Sequence, residues 1–586
     1  MSRNNSVRKI VENAFEEKIK EITNRLIKTS DPLLYFSEAV ESAYKSGNFP
    51  LGELLRCGNE IISERLLKNA GSLNNFEIKP DLEMVLTDLL LGANYWAIRD
   101  KVFYSYANPD SITWKKSGND IRIELNDDSI FRQLVSEKQT FRLNSISSKN
   151  KKHSFSNAIY LLKNTKPFDF SNQKVVDAVK LIQSEIEWKF SYFFSYVPED
   201  SSIEIRGYLY SEFISIYKVL MFYALYERHY SKANSISSVI TYTEDEISNA
   251  IQQQTPEISI EKIKKIVADI SLSSRSTLIF LKKESKYYLS ALSFTLVDII
   301  SNFLRLHAKC EPEHFSSNIA HLIGNGLVLK IKKAFEQHNN YRVLCDVKLS
   351  KFDEKLPDID VLAISYEPSL GFHLFIGEVK NNLPAVWAKD YLKASSKNGF
   401  ITKAISQTNI INEFLSTNQG ERYLLDLIRA NFKDLDLKKY FPHGFCVIKD
   451  KLIITSQSVG MFFPEKNIPI IDGDTLCHII DESDGDTNYI QFHINEFDKV
   501  VDECTEKCQE EMTLGDYNIQ FDSVKIDKFF GLAQHTYISD GTFEQLELDS
   551  LESGYTMAGS LLHKGDEKFH IDHFPREYKL IEVSSY

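Results

Sequence analysis

Residues 357–380 read PDIDVLAISYEPSLGFHLFIGEVK, and the fold of the chain turns on how they are read. Two apolar runs, Ile359–Ser365 and Phe372–Val379, flank a turn-like segment holding Pro368, Ser369 and Gly371. That is the pattern of a β-hairpin with a loop longer than two residues. A turn centred near Ser369 sets Asp360 opposite Glu378 and Asp358 opposite Lys380. Side chains alternate along a strand, so this register gathers Asp358, Asp360, Glu378 and Lys380 on one face of one sheet. A slip of one residue scatters them.

The residues around these charges are apolar on both strand faces, as expected for a sheet covered on both sides. Carboxylates in such a setting are costly to bury without neutralising charge. Lys380 supplies one positive charge and a divalent cation the rest. Oxygen donors with no Cys or His nearby suit Mg²⁺ or Mn²⁺ better than Zn²⁺. The plain alternative is a hairpin end carrying solvated charges, the usual situation of a single Asp or Glu. The convergence of all these charges between apolar strands favours a site.

Pro357-Asp358-Ile359-Asp360 followed by Glu378-Val379-Lys380 resembles the core of the PD-(D/E)XK, or restriction-endonuclease-like, nuclease superfamily. The resemblance covers roughly residues 313–482, under a third of the chain. It implies a metal ligand at the Asp of the Ile-Asp-Val triplet, Asp360, with Asp358 as the alternate, and a second ligand at Glu378. Lys380 then positions water or offsets charge on the phosphate. Members often carry a Phe-Glu pair on the first helix; Phe335-Glu336 matches, which makes Glu336 a third acidic candidate, with Lys333 beside it as a nucleic-acid contact. Lys403-Ala404-Ile405-Ser406-Gln407 resembles the segment in which many members place a Gln beside the active site. Gln407 would orient the phosphate or the attacking water, and Lys403, one turn earlier, would touch backbone phosphate. Solvated helical residues are the alternative at Glu336 and Gln407.

The rest of the chain predicts an α+β multidomain protein. Residues 1–306 read as mostly helical, from apolar spacing in Val7–Thr29, Asp81–Trp96, Val175–Phe194, Ser211–Tyr230 and Ile260–Ile270, with helix starts at Thr243 and Ser259 and a β-like patch at Ser111–Leu125. A break at Lys309-Cys310-Glu311-Pro312 opens the second region, 307–482. There a helix Ser316–Gln337 capped by Ser316 or Ser317, a strand Tyr341–Leu349, the hairpin, helices Pro384–Ala394 and Phe400–Leu415, and further β and α pieces form an α/β core, a central mixed sheet flanked by helices. Residues 483–586 read as an acidic accessory region of mixed structure, with a helix near Asn495–Glu511 that puts Cys504 and Cys508 on one face. His570-Ile571-Asp572-His573 lacks a second ligand group at fixed spacing.

A net charge of −13 argues against a basic coat but leaves room for local phosphate-binding patches. One such stretch is the basic Asn144–Ser154, which reads as a loop. The seven cysteines form no CxxC pair and no disulfide framework, which suits a reducing cytoplasm. The N-terminus lacks a signal-peptide core, and the apolar run Phe213–Tyr226 is too short and too polar to span a bilayer. The phosphate-loop, GxSxG and HExxH motifs do not occur, and Gly324-Asn325-Gly326 is a lone GxG in a helical stretch.

With the resemblance, these residues predict a metal-dependent nuclease using Mg²⁺, with Mn²⁺ as a substitute, that cuts DNA internally in a setting such as restriction or antiphage defence. The helical half would sense a trigger or restrain the nuclease, and a homo-oligomer would suit that arrangement. The rivals are a nuclease fold that binds nucleic acid without cutting, an RNase, and a regulatory protein in which the hairpin is incidental. A metal-free site with Lys380 paired to Asp358 would favour the last.

Overall fold

In the computed structural model, helix α1 (Ala320–Glu336) leads into three strands, β1 (Tyr341–Val347), β2 (Ile359–Glu367) and β3 (Gly371–Lys380). β2 and β3 pair antiparallel with Val361 opposite Gly377 and Glu367 opposite Gly371, the register that a turn centred on Ser369 requires. β1 pairs antiparallel with the other edge of β2, Cys345 opposite Val361. After helices α2 (Ala388–Ser395), α3 (Phe400–Leu415) and α4 (Asn418–Asn431), β4 (Phe445–Thr455) returns parallel to β3 over its whole length. β5 (Ile470–Asp472) adds a short parallel strand, α5 (Gly473–Glu482) follows it, and β6 (Glu577–Ile581) pairs antiparallel with the first half of β4. The result is a six-stranded mixed sheet in the order β5-β4-β3-β2-β1, with β6 beside β4.

The structure describes residues 3–28, 32–45, 49–68, 81–126, 130–131, 134, 155, 157–192, 197–272, 280–283, 286–296, 299–368, 371–383, 388–441, 445–456, 468–494, 505–526 and 577–581. The chain divides into two compact units. One comprises Met1–Asn126, Ser147–His321 and Gln509–Asp522; the other comprises Asp127–Ile146, Leu322–Cys508 and Ser523–Tyr586 and carries the mixed sheet.

Helices cover both faces of that sheet. Leu362, Ile364, Phe372, Leu374 and Ile376 pack against Ile411 and Leu415 of α3 and Leu424 and Ile428 of α4. On the other face Phe335 of α1 meets Phe375 with ring centroids 5.6 Å apart and Tyr341 at 5.0 Å, and a Lys330–Asp474 ion pair ties α1 to α5. This double cover is why β2 and β3 read as nearly continuous apolar runs.

The other unit is mostly helical. Helices Arg3–Leu26, Leu82–Ala107, Gln173–Tyr192, Tyr210–Asn234 and Ile260–Asp269 form where the apolar spacing predicts them. Thr243 closes a capping box with Glu246, and Ser259 caps the helix that follows it. The Ser111–Leu125 patch is a hairpin, Ile112–Ser117 with Asp120–Leu125. A second four-stranded sheet, built on Val239–Thr243 and Lys286–Ser290, lies within the region that reads as helical. Among the described residues no helix is long and apolar enough to cross a membrane.

Two local expectations are corrected. Ser316 and Ser317 do not cap α1: helical structure already starts at Pro312 and runs through a π-turn, Phe315–Ile319, and the two hydroxyls bond back to the carbonyls of Pro312 and Glu313. The expected helix to Glu511 is instead a strand from Thr505 to Leu514, which hairpins at Gly515 into Tyr517–Ile526. That second strand joins the Asp120–Leu125 strand in parallel, so a long-range ladder overrides a charge-rich local sequence of high helix propensity. The 495–504 part of that expectation, with Cys504, lies outside the described residues, as do Pro384, Asn144–Ser154 and the His570–His573 group.

Gly371 sets the start of β3. Its φ of 137° is open only to glycine, and a Cβ there would stand 2.2 Å from the carbonyl oxygen of Cys446 on β4. Gly324, in α1, has ordinary helical geometry and open space around it. Gly371→Ala is expected to destabilise the sheet-bearing unit by about 3 kcal/mol, whereas Gly324→Ala should be neutral or stabilising by up to about 1 kcal/mol. Urea unfolding of both variants followed by hydrogen exchange in β3 and β4 tests this; equal effects would refute the role given to Gly371.

Candidate active site

Beyond the last ladder pair of the hairpin, Val361 and Gly377, the next residues in register are Asp360 and Glu378. The backbone N–H of Val379 donates to Asp360 Oδ2 at 2.7 Å, which pins the first carboxylate to the neighbouring strand. Lys380 Nζ pairs with Glu378 Oε1. The main chain after Lys380 is held in turn: Ser456 N–H donates to the Lys380 carbonyl at 3.2 Å, and Asn382 N–H donates to Ser456 Oγ at 2.9 Å. Asp360, Glu378 and Lys380 are thus brought together by strand pairing.

The Glu378 side chain is 2 % exposed and that of Lys380 21 %. Glu378 Oε2 is buried with no hydrogen-bond partner. Burial pushes the Glu378 carboxyl up to about 7, the Asp360 charge adds to the shift, and Lys380 opposes it. Burial likewise raises Asp360, against the Val379 N–H and Lys380. Two neighbouring carboxylates, one half-buried and one nearly dry, resist ionising together unless a cation joins them. An orphaned carboxylate oxygen beside a second carboxylate is a donor set that fits a hard divalent ion such as Mg²⁺ or Mn²⁺, with Asp360 and Glu378 as the residues to hold it.

Asp358 is engaged elsewhere. Its carboxylate accepts from Leu349 N–H at 3.0 Å and from Lys348 Nζ at 2.8 Å, and the Lys348 bond holds it below the usual carboxylate range. It ties down the β1–β2 connection and does not pair with Lys380, the contact that would have favoured an incidental hairpin. Lys348 also bonds Asp346 at 2.5 Å. Asp346, at a left-handed φ of 54°, lies between the β1 residues paired with Ile359 and Val361 and so stands across from Asp360, whose ionisation it opposes. Sequence reading missed Asp346; extending the hairpin register to the preceding strand would have found it.

Glu336 ends α1 and pairs with Lys332 at 3.6 Å. Lys333 is exposed on the same helix. In α3, Ile401 and Ala404 pack with Ile453, the β4 residue in register with Glu378, so the first turns of α3 lie over that row of the sheet. Lys403 is exposed and Gln407 half-buried on those turns.

An acid whose folded pKa exceeds its unfolded value adds stability at low pH that is lost as pH rises through the folded pKa. Glu378, raised from 4.5 to about 7, should therefore cost the chelator-treated protein about 3 kcal/mol between those pH values. Glu378→Gln should lack this loss, and added Mn²⁺ should restore stability above pH 7 in the wild type alone. Unfolding curves at about pH 5 and pH 8 decide the matter: a stability difference between the two proteins that does not change with pH would overturn the reading.

No protein-family model matches the chain, and neither a curated protein nor a solved structure shows significant similarity to it.

Proposed function

We propose that the sheet-bearing unit is a metal-dependent nuclease of the PD-(D/E)XK type that hydrolyses phosphodiester bonds within DNA. The observation that carries this reading is the hairpin register that sets Asp360 beside a buried Glu378 with an unpartnered oxygen, with Lys380 two residues on. Bound by Asp360 and Glu378, Mg²⁺ or Mn²⁺ supplies Lewis acidity toward a phosphoryl oxygen and lowers the pKa of water. Lys380 offers a compact ammonium on a flexible stem, able to leave Glu378 for a non-bridging phosphate oxygen or the attacking water. The half-buried Gln407 orients phosphate or water from α3, and the exposed Lys403 meets the nucleic-acid backbone. Asp358 and Asp346, bridged by Lys348, stiffen the strand end that presents Asp360. The supporting physics is that of preorganisation: the groups are fixed by strand ladders and backbone bonds before substrate arrives.

The test is cleavage of supercoiled plasmid, linear duplex, single-stranded DNA and RNA by the full chain with Mg²⁺, Mn²⁺ or EDTA. Metal-dependent nicking of plasmid is expected, with Lys380→Ala and Asp360→Asn slower by about 100-fold or more and Lys403→Ala affected mainly at higher salt. Cutting confined to RNA would reassign the substrate. Folded wild type that neither cuts nor binds Mn²⁺ in calorimetry would sink the proposal.

A further inference from the structure

In the helical unit, His307, Glu311 and His314 converge although they are spread over eight residues. Seven residues of straight α-helix advance about 10.5 Å, yet His307 Nε2 and His314 Nδ1 are 3.0 Å apart. The helix Ile299–Cys310 stops, Glu311 turns the chain with φ −135° and ψ 64°, and Pro312 starts a new turn that folds His314 back onto His307. The π-turn Phe315–Ile319 follows directly, and such turns gather at functional sites.

His307 is fully buried, and its Nδ1 has no hydrogen-bond partner. That orphan nitrogen faces Glu311 Oε1 across 3.8 Å. That gap is too long for a hydrogen bond and lies on a different edge of the ring from His314. The ion-facing pair is Nε2 of His307 and Nδ1 of His314, whose 3.0 Å separation is close to the ~3.4 Å between two ligands of one tetrahedral Zn²⁺. Glu311 offers a carboxylate oxygen as the third donor, and one ligand atom from each residue lies within 4.8 Å of the other two. The nearby positive charge of Arg206 is compensated by a bidentate pair with Asp269, both bonds at 2.8 Å.

We propose that His307, Glu311 and His314 form a binding site for a borderline divalent ion of the Zn²⁺ class. Two imidazoles and one carboxylate are a donor set that Zn²⁺ accepts readily. With Glu311 exposed and His314 half-exposed, water can take the fourth position. Bound there, the ion clamps the joint between the helix ending at Cys310 and the turn starting at Pro312. The donor set differs from the all-oxygen acidic pair, and the site does not depend on the nuclease reading.

The full-length protein, stripped with EDTA and kept in millimolar Mg²⁺ to saturate oxygen sites, is titrated with Zn²⁺ against a chromophoric competitor. Co²⁺ spectra are recorded in parallel. The wild type should bind one Zn²⁺ equivalent that Glu311→Gln and His314→Asn weaken by about 100-fold, and Glu378→Gln should keep it. The Co²⁺ d–d bands of the wild type should fade in the first two variants and persist in the third. These substitutions sit at exposed or half-exposed positions, and circular dichroism checks that each variant is folded. No Zn²⁺ binding by the wild type, equal affinity in folded Glu311→Gln and His314→Asn, or loss of the ion in Glu378→Gln alone would each overturn the site.

Discussion

Everything about the sheet-bearing unit bears on one costly placement, the carboxylate of Glu378 in a nearly dry position beside Asp360. A buried acid with an unpartnered oxygen is unfavourable for folding, and a protein keeps one only where the surrounding structure over-determines it. Here the ladder of β2 and β3, the Val379 N–H on Asp360 and the Lys380 ammonium supply that constraint. The arrangement is partly compensated without metal and leaves an opening for one. Stored electrostatic strain of this kind is common at functional sites.

The apolar layers make the placement possible. α3 and α4 seal one face of the sheet and α1 the other, so the strand ends, where the acids lie, are flanked by well-packed core. The parallel β3–β4 pair fixes the depth of β3, because Gly371 permits the close approach to Cys446 from which the whole register follows. Asp358 contributes differently from what its motif position suggests: it bonds the chain that connects β1 to β2 and thereby steadies Asp360 from behind. In the helical unit Glu185 is tied to His229 at 2.7 Å and Lys189 donates to the Thr295 carbonyl at 2.9 Å, a satisfied polar network in a helical core. At the acidic pair one oxygen of Glu378 stays buried without a partner.

Much of this was legible in the chain itself. Apolar spacing located the long helices, Thr243 and Ser259 announced helix starts, and the loop between two apolar runs was enough to set the hairpin register and so to pair Asp360 with Glu378. These are local signals: a 3.6-residue or two-residue period and a turn act over a few residues and need no knowledge of the rest of the fold. What tertiary structure alone decided was which partner each side chain meets. Asp358 went to Lys348, and Asp346 joined the row across a third strand. The charge-rich segment at Thr505–Leu514 became a strand because its hairpin found an edge at Asp120–Leu125, nearly four hundred residues earlier. His307 and His314 met because a kink at Glu311 shortened the distance that a straight helix would have kept. Periodicity determines which face a residue occupies, but long-range pairing and burial, summed over the whole core, choose its neighbours.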